Sequence, residues 1–138
     1  MKKRIKLLLV IIWMIFIFIM SQMDDTISSS QSGFFVNIIT SIFKVNNIET
    51  LSIIIRKLAH FTEYFILGIL ILNLFIDSKK ALFLSILICL IYAISDEVHQ
   101  IFVPGRAGKI MDVMIDLFGS LIGIFILKAY KNLTKYKK

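Results

Sequence analysis

The chain has one cysteine, one proline and one tryptophan, and only two histidines, in 138 residues. A lone cysteine excludes an intrachain disulfide and a metal site built on thiolates. Cys89 sits inside an apolar run and reads as a packed, inert thiol. The lone proline falls in Pro104-Gly105, a turn signal, with proline presetting φ and glycine tolerating positive φ. Acids are few, nine against sixteen Lys and Arg. No internal repeat, low-complexity tract, glycine-rich phosphate loop or Ser-His-Asp pattern is present.

Apolar residues are abundant instead. They make up 58% of the chain, with a mean hydropathy of +0.87, against about 45–50% in a soluble domain. The excess comes in long runs, which is the membrane signature. At this length residues 1–138 are expected to form a single membrane domain. The net charge of +7 would suggest nucleic acid in a soluble protein. Here the charge sits at the two ends and in one short loop, so topology accounts for it and no nucleic-acid partner is expected.

Lys2, Lys3, Arg4 and Lys6 precede an unbroken apolar run, Leu7 to Met20. A signal peptide begins in the same way, but no small-x-small cleavage pattern follows. The reading is an uncleaved first helix over about residues 5–23, with Lys6 snorkelling to the surface. Asp24 to Ser32 is polar and serine-rich, hence a loop. Phe34, Phe35, Ile38, Ile39, Ile42 and Phe43 then form a helical stripe too short to span. It suits a short interfacial helix in the first outer loop, or equally a loop helix packed on the bundle. Further spans are expected at about 51–76, 80–102 and 109–128, with Asp77 to Lys80 as a short turn between the second and third. The fold class is therefore all-α, an integral membrane four-helix bundle.

Charge sets the orientation. The two termini and the Asp77–Lys80 turn carry eleven Lys and Arg with one acid; the rest carries five with eight acids. The positive side should be cytoplasmic, with both termini inside a bacterial cytoplasmic membrane.

The chemistry concentrates between Arg56 and Asp116. Arg56, His60 and Glu63 fall at i, i+4 and i+7 and share a helix face. Asp96 and Gln100 are i, i+4, with Glu97 and His99 beside them. Asp112, Asp116, Gly119 and Gly123 make one stripe down the last helix, and its glycines permit close helix approach. That stripe should face the other helices. Ionisable groups inside membrane helices are costly and tend to mark a site. Glu63, Asp96 and Asp112 are expected to converge near the outer end, with His60 and Arg106 at the edge. Two readings stay open. The near balance of charges fits an ion-pair network that fixes helix register. The two histidines beside five carboxylates, and an arginine on a Pro-Gly turn able to fork onto a phosphate, fit a functional site.

These segments resemble the VanZ-like family of bacterial membrane proteins, named for a teicoplanin-resistance protein. The matching stretches are R56-K-L-A-H-F-T-E-Y-F-I-L-G68, S95-D-E-V-H-Q-I-F-V-P-G-R106 and D112-V-M-I-D-L-F-G-S-L-I-G123, together with Ser21-Gln22 after the first helix. The resemblance implies a cell-envelope protein with a link to glycopeptide resistance. It brings no defined reaction with it.

Three functions compete at this point. In the first, the outward-facing cluster holds an anionic lipid headgroup or a lipid-linked cell-wall precursor, with Arg106, Arg56 and Lys109 as anion contacts. In the second, the protein is an intramembrane metal-dependent hydrolase or transferase acting on a phospholipid or polyprenyl-linked substrate. His60, Glu63, Asp96, Glu97 and Asp112 would then be candidate ligands for a divalent metal, and a carboxylate the general base. The third is a structural partner subunit.

Overall fold

The computed structural model describes residues 2–22, 33, 36–41, 47–104 and 108–135. Within them run four long helices: α1 (Lys3–Gln22), α2 (Ile48–Phe75), α3 (Ala81–Gln100) and α4 (Ile110–Lys135). All four are long and apolar enough to cross a membrane, and the protein is a multi-pass membrane protein. The helices alternate in direction. α2, α3 and α4 pack against one another, α2 on α4 most extensively, and α1 lies across α2 and α3.

Each terminus has a local cause. Asn47 caps α2, its side chain accepting from the Thr50 amide at 3.0 Å, and Glu49 in the first turn suits the helix dipole. This starts α2 three residues ahead of the expected position. Asp77 to Lys80 forms the expected turn, closed by the Ser78 amide on the Phe75 carbonyl at 2.8 Å. α3 stops at Gln100, short of the expected Phe102. The amides of Phe102 and Val103 donate instead to the carbonyls of His99 and Gln100, because Pro104 disfavours a helical Val103. α4 continues to Lys135, well past the expected 128. An apolar run ends where hydrocarbon ends, but Lys, Ala and Leu sustain a helix beyond it.

The expected interfacial helix falls largely outside the described residues, including Phe34, Phe35, Ile42 and Phe43. Residues 36–41 are helical, with Val36 buried and Ile38 exposed.

The core is apolar, built on Ile17, Tyr64, Leu67, Ile71, Cys89 and Ile124. The outer surface is apolar too, with exposed Ile, Leu and Phe along every helix, as lipid requires. Polar threads fix the depth of α1. The Trp13 indole donates to the Glu63 carbonyl at 2.9 Å and the Tyr92 hydroxyl to the Met14 carbonyl at 2.6 Å. Lys6, expected to snorkel, reaches the Asn73 carbonyl at the far end of α2, 2.8 Å away.

The α2–α4 seam is the tightest. A Cβ at Gly119 or Gly123 would collide with the carbonyl oxygens of Phe61 or Phe65, and one at Gly68 with that of Ser120. Contacts of this kind need glycine and draw the two backbones together.

Candidate functional site

The end of α1, the first half of α2, the last turns of α3 and the first turns of α4 meet at the bundle end away from the termini. Depth follows from helix rise. Lys57 lies 20 residues ahead of Asp77, about 30 Å along α2, which is roughly the thickness of the hydrocarbon layer. With the Asp77 turn at one interface, Lys57 is level with the other. His60 and Glu63 then lie one to two turns inside.

On α3, Asp96, Glu97 and Gln100 are all buried, at 3%, 5% and 5% exposure. They prolong the inner face begun by Cys89 and Ala93. On α4, Asp116 is fully buried while Asp112 keeps partial access to solvent. The Asp112–Asp116 stripe therefore faces the other helices.

The innermost group is His60, Asp96 and Asp116. One ligating atom from each lies within 4.8 Å of the others. His60 Nδ1 stands 4.0 Å from Asp116 Oδ1 and 3.9 Å from Glu63 Oε2. Four carboxylate oxygens, two each on Asp96 and Asp116, are buried without a well-formed hydrogen bond among the described residues, with the Ser21 and Tyr64 hydroxyls beside Asp96. Tyr64 follows His60 by one turn, and its hydroxyl feels both aspartates. Buried polar groups are nearly always paired, and two unneutralised carboxylates at this separation repel strongly.

The other candidates form a rim around this centre. Glu97 accepts the Lys109 backbone amide on Oε2 at 2.8 Å. That contact depends on Gly108, where a Cβ would strike the Glu97 carbonyl and the Ile101 side chain. Asp112 takes the Lys57 ammonium at 2.5 Å. Gln100 donates to Ser21 Oγ at 3.1 Å, and His99 meets the Gln22 amide at 2.8 Å beside the Phe18 ring. Arg56 is half-buried on α2. Arg106 lies outside the described residues.

Sequence reasoning placed Asp112 at the point of convergence with Glu63 and Asp96. The structure puts Asp116 beside Asp96 and leaves Asp112 with Lys57. It also adds three residues that were not among the candidate site residues. Ser21 is fully buried at the end of α1, Gln22 engages His99, and Tyr64 closes the centre. Ser21-Gln22 follows a continuous apolar run, and that position could have signalled a polar pair at site depth. For Tyr64 the signal was the His60–Tyr64 i, i+4 spacing.

A sequence model described as VanZ/LLP1 covers residues 6–131. No curated protein and no solved structure matches the chain.

Proposed function

The chain belongs to the VanZ/LLP1 family, and from that premise we propose a membrane-embedded, divalent-cation-dependent hydrolase or transferase acting on a phosphate-bearing lipid. One observation carries the reading. Asp96 and Asp116 bury four carboxylate oxygens beside an imidazole nitrogen, with no donor at Asp116 and only the Ser21 and Tyr64 hydroxyls near Asp96 among the described residues. Two carboxylates and a histidine are a common ligand chemistry for Mg²⁺-, Mn²⁺- or Zn²⁺-like ions. The donor set therefore fits a divalent cation, held by His60, Asp96 and Asp116. Such an ion supplies a Lewis acid for a phosphoryl oxygen. Glu63, next to His60, orients the imidazole and is the nearest candidate base. Tyr64 offers a hydroxyl to the same centre.

The anion-binding reading is weaker on this geometry. A headgroup or cell-wall precursor drawn to Arg56 and Lys109 would meet Glu63, Asp96, Glu97, Asp112 and Asp116 close by. Lys109 presents its backbone amide to Glu97. A bound cation reverses that repulsion and lets an anionic phosphate approach. In this proposal residues 1–138 form one membrane domain in a bacterial cytoplasmic membrane, both termini inside. A link to teicoplanin susceptibility would be read from cells carrying the variants below.

The test is metal analysis and Mn²⁺ titration of purified protein. Wild type should bind one ion per chain, and His60→Ala, Asp96→Asn and Asp116→Asn should each lose it while remaining folded. A wild type that binds no divalent ion sinks the proposal.

A further inference from the structure

On the lipid-facing side of the α2–α4 seam lies a groove of about 630 Å³. Ile54, Leu58 and Phe61 of α2 face Met114, Phe118 and Leu121 of α4 across it. Leu58, Met114 and Phe118 are each more than half exposed. The lining is apolar throughout except for one residue, Lys57. Helix rise places Lys57 at the hydrocarbon boundary, with Leu58, Phe61 and Leu121 below it. A groove in hydrocarbon with a cation at its head fits a particular occupant. Its chain is apolar, and its anionic group sits at the interface.

We propose that this groove seats one acyl chain of an anionic glycerophospholipid, whose phosphate takes the Lys57 ammonium, and that this lipid is the substrate of the neighbouring site. The second half rests on the cation-dependent reading above. Lys57 joins the two places. Its ammonium contacts Asp112, which is one turn from Asp116 on the same stripe of α4. A phosphate sharing Lys57 with Asp112 is therefore one turn from the buried centre. The groove selects for a hydrocarbon chain and a single negative charge. Its lining has no neutral donor or acceptor, so the groove offers no contact to a saccharide or peptide.

Lipid retention by native mass spectrometry tests the seat. The full-length protein is exposed to vesicles of equal phosphatidylglycerol and phosphatidylcholine, then stripped to its tightly held lipid. Wild type should keep phosphatidylglycerol. Leu58→Trp and Met114→Trp fill the groove from opposite helices and should each lower retention about tenfold, as expected when a ring displaces two methylenes. Lys57→Gln should remove the preference for phosphatidylglycerol. Phe83→Trp, on the exposed face of α3, is the control and should change nothing. Mn²⁺ affinity is measured on every variant and should be unaltered in the two groove-filling variants. Equal retention by wild type, Leu58→Trp and Met114→Trp overturns the seat. Displacement of phosphatidylglycerol by undecaprenyl phosphate at lower concentration overturns the choice of lipid. If wild type binds no Mn²⁺ yet retention still follows the groove, the substrate assignment falls and the acyl seat stands.

Discussion

Asp116→Asn tests the reasoning about the buried centre most directly, because the two readings of the cluster predict opposite signs. Asparagine keeps the shape of the side chain and removes one charge. Asp96 and Asp116 present oxygens within 4.8 Å of each other. For two full charges at that distance, and an effective dielectric of about 20, the repulsion is about 3–4 kcal/mol, an upper bound on what the substitution relieves. Asp116 has no hydrogen bond among the described residues to lose. In metal-free protein the variant should therefore melt above wild type, by up to roughly 5–10 °C. Added Mn²⁺ should change the order. At a hundred times its dissociation constant a ligand stabilises the state that binds it by about 2.7 kcal/mol, and at a thousand times by about 4.1 kcal/mol. Wild type should gain this and the variant should not, so the gap closes and then inverts. The assay is thermal unfolding in detergent, with chelator and then with a Mn²⁺ series. A variant that melts below wild type in chelator, with both proteins indifferent to Mn²⁺, would show that Asp116 is a satisfied member of a structural network.

The remaining expectations concern the rim, the seam and the topology. Glu97→Gln keeps an oxygen for the Lys109 amide, so it should stay within about 1 kcal/mol of wild-type stability yet lose function. A fall in abundance matching the fall in activity would assign Glu97 to structure. Arg106→Lys retains charge but not the planar fork, so full activity in that variant would exclude bidentate recognition there. Gly123→Val should destabilise by about 1–3 kcal/mol or more, since its Cβ would meet the Phe65 carbonyl. An unchanged melting curve would mean that the seam is looser than described. For topology, single cysteines are placed at exposed positions in a Cys89→Ala background. Glu49→Cys should react with an impermeant thiol reagent added outside, and Lys131→Cys should not; the reverse pattern would invert the orientation.

Much of the fold was legible because lipid imposes a simple rule: every backbone group must be satisfied within its own helix, so span length suffices. The ends of α3 and α4 were not legible by that rule. Span counting measures the hydrocarbon layer, whereas Pro104 stops α3 early and the lysine-rich end of α4 keeps its helix in the interface. The faces were legible for the same kind of reason. Arg56, His60 and Glu63 recur at helical spacing, and so do Asp112 and Asp116.

Depth was the harder quantity, and it separates Asp112 from Asp116. The two lie one turn apart on the same stripe, so periodicity treats them alike. What distinguishes them is how closely α2 approaches at each level. Gly119 and Gly123 press on the backbone of α2 at Phe61 and Phe65, and Gly68 presses back on Ser120. These contacts begin less than a turn beyond Asp116. The seam therefore holds Asp116 against His60, in a place with no access to solvent. Asp112, a turn nearer the surface, lies where the helices give way to Lys57 and keeps partial exposure. Three glycines thus sort two equivalent aspartates into a rim ion pair and a buried carboxylate. A single sequence shows the glycines and the aspartates but not which backbone each glycine meets. That requires the pairing of α2 with α4, which apolar helices of similar length leave open until they are packed.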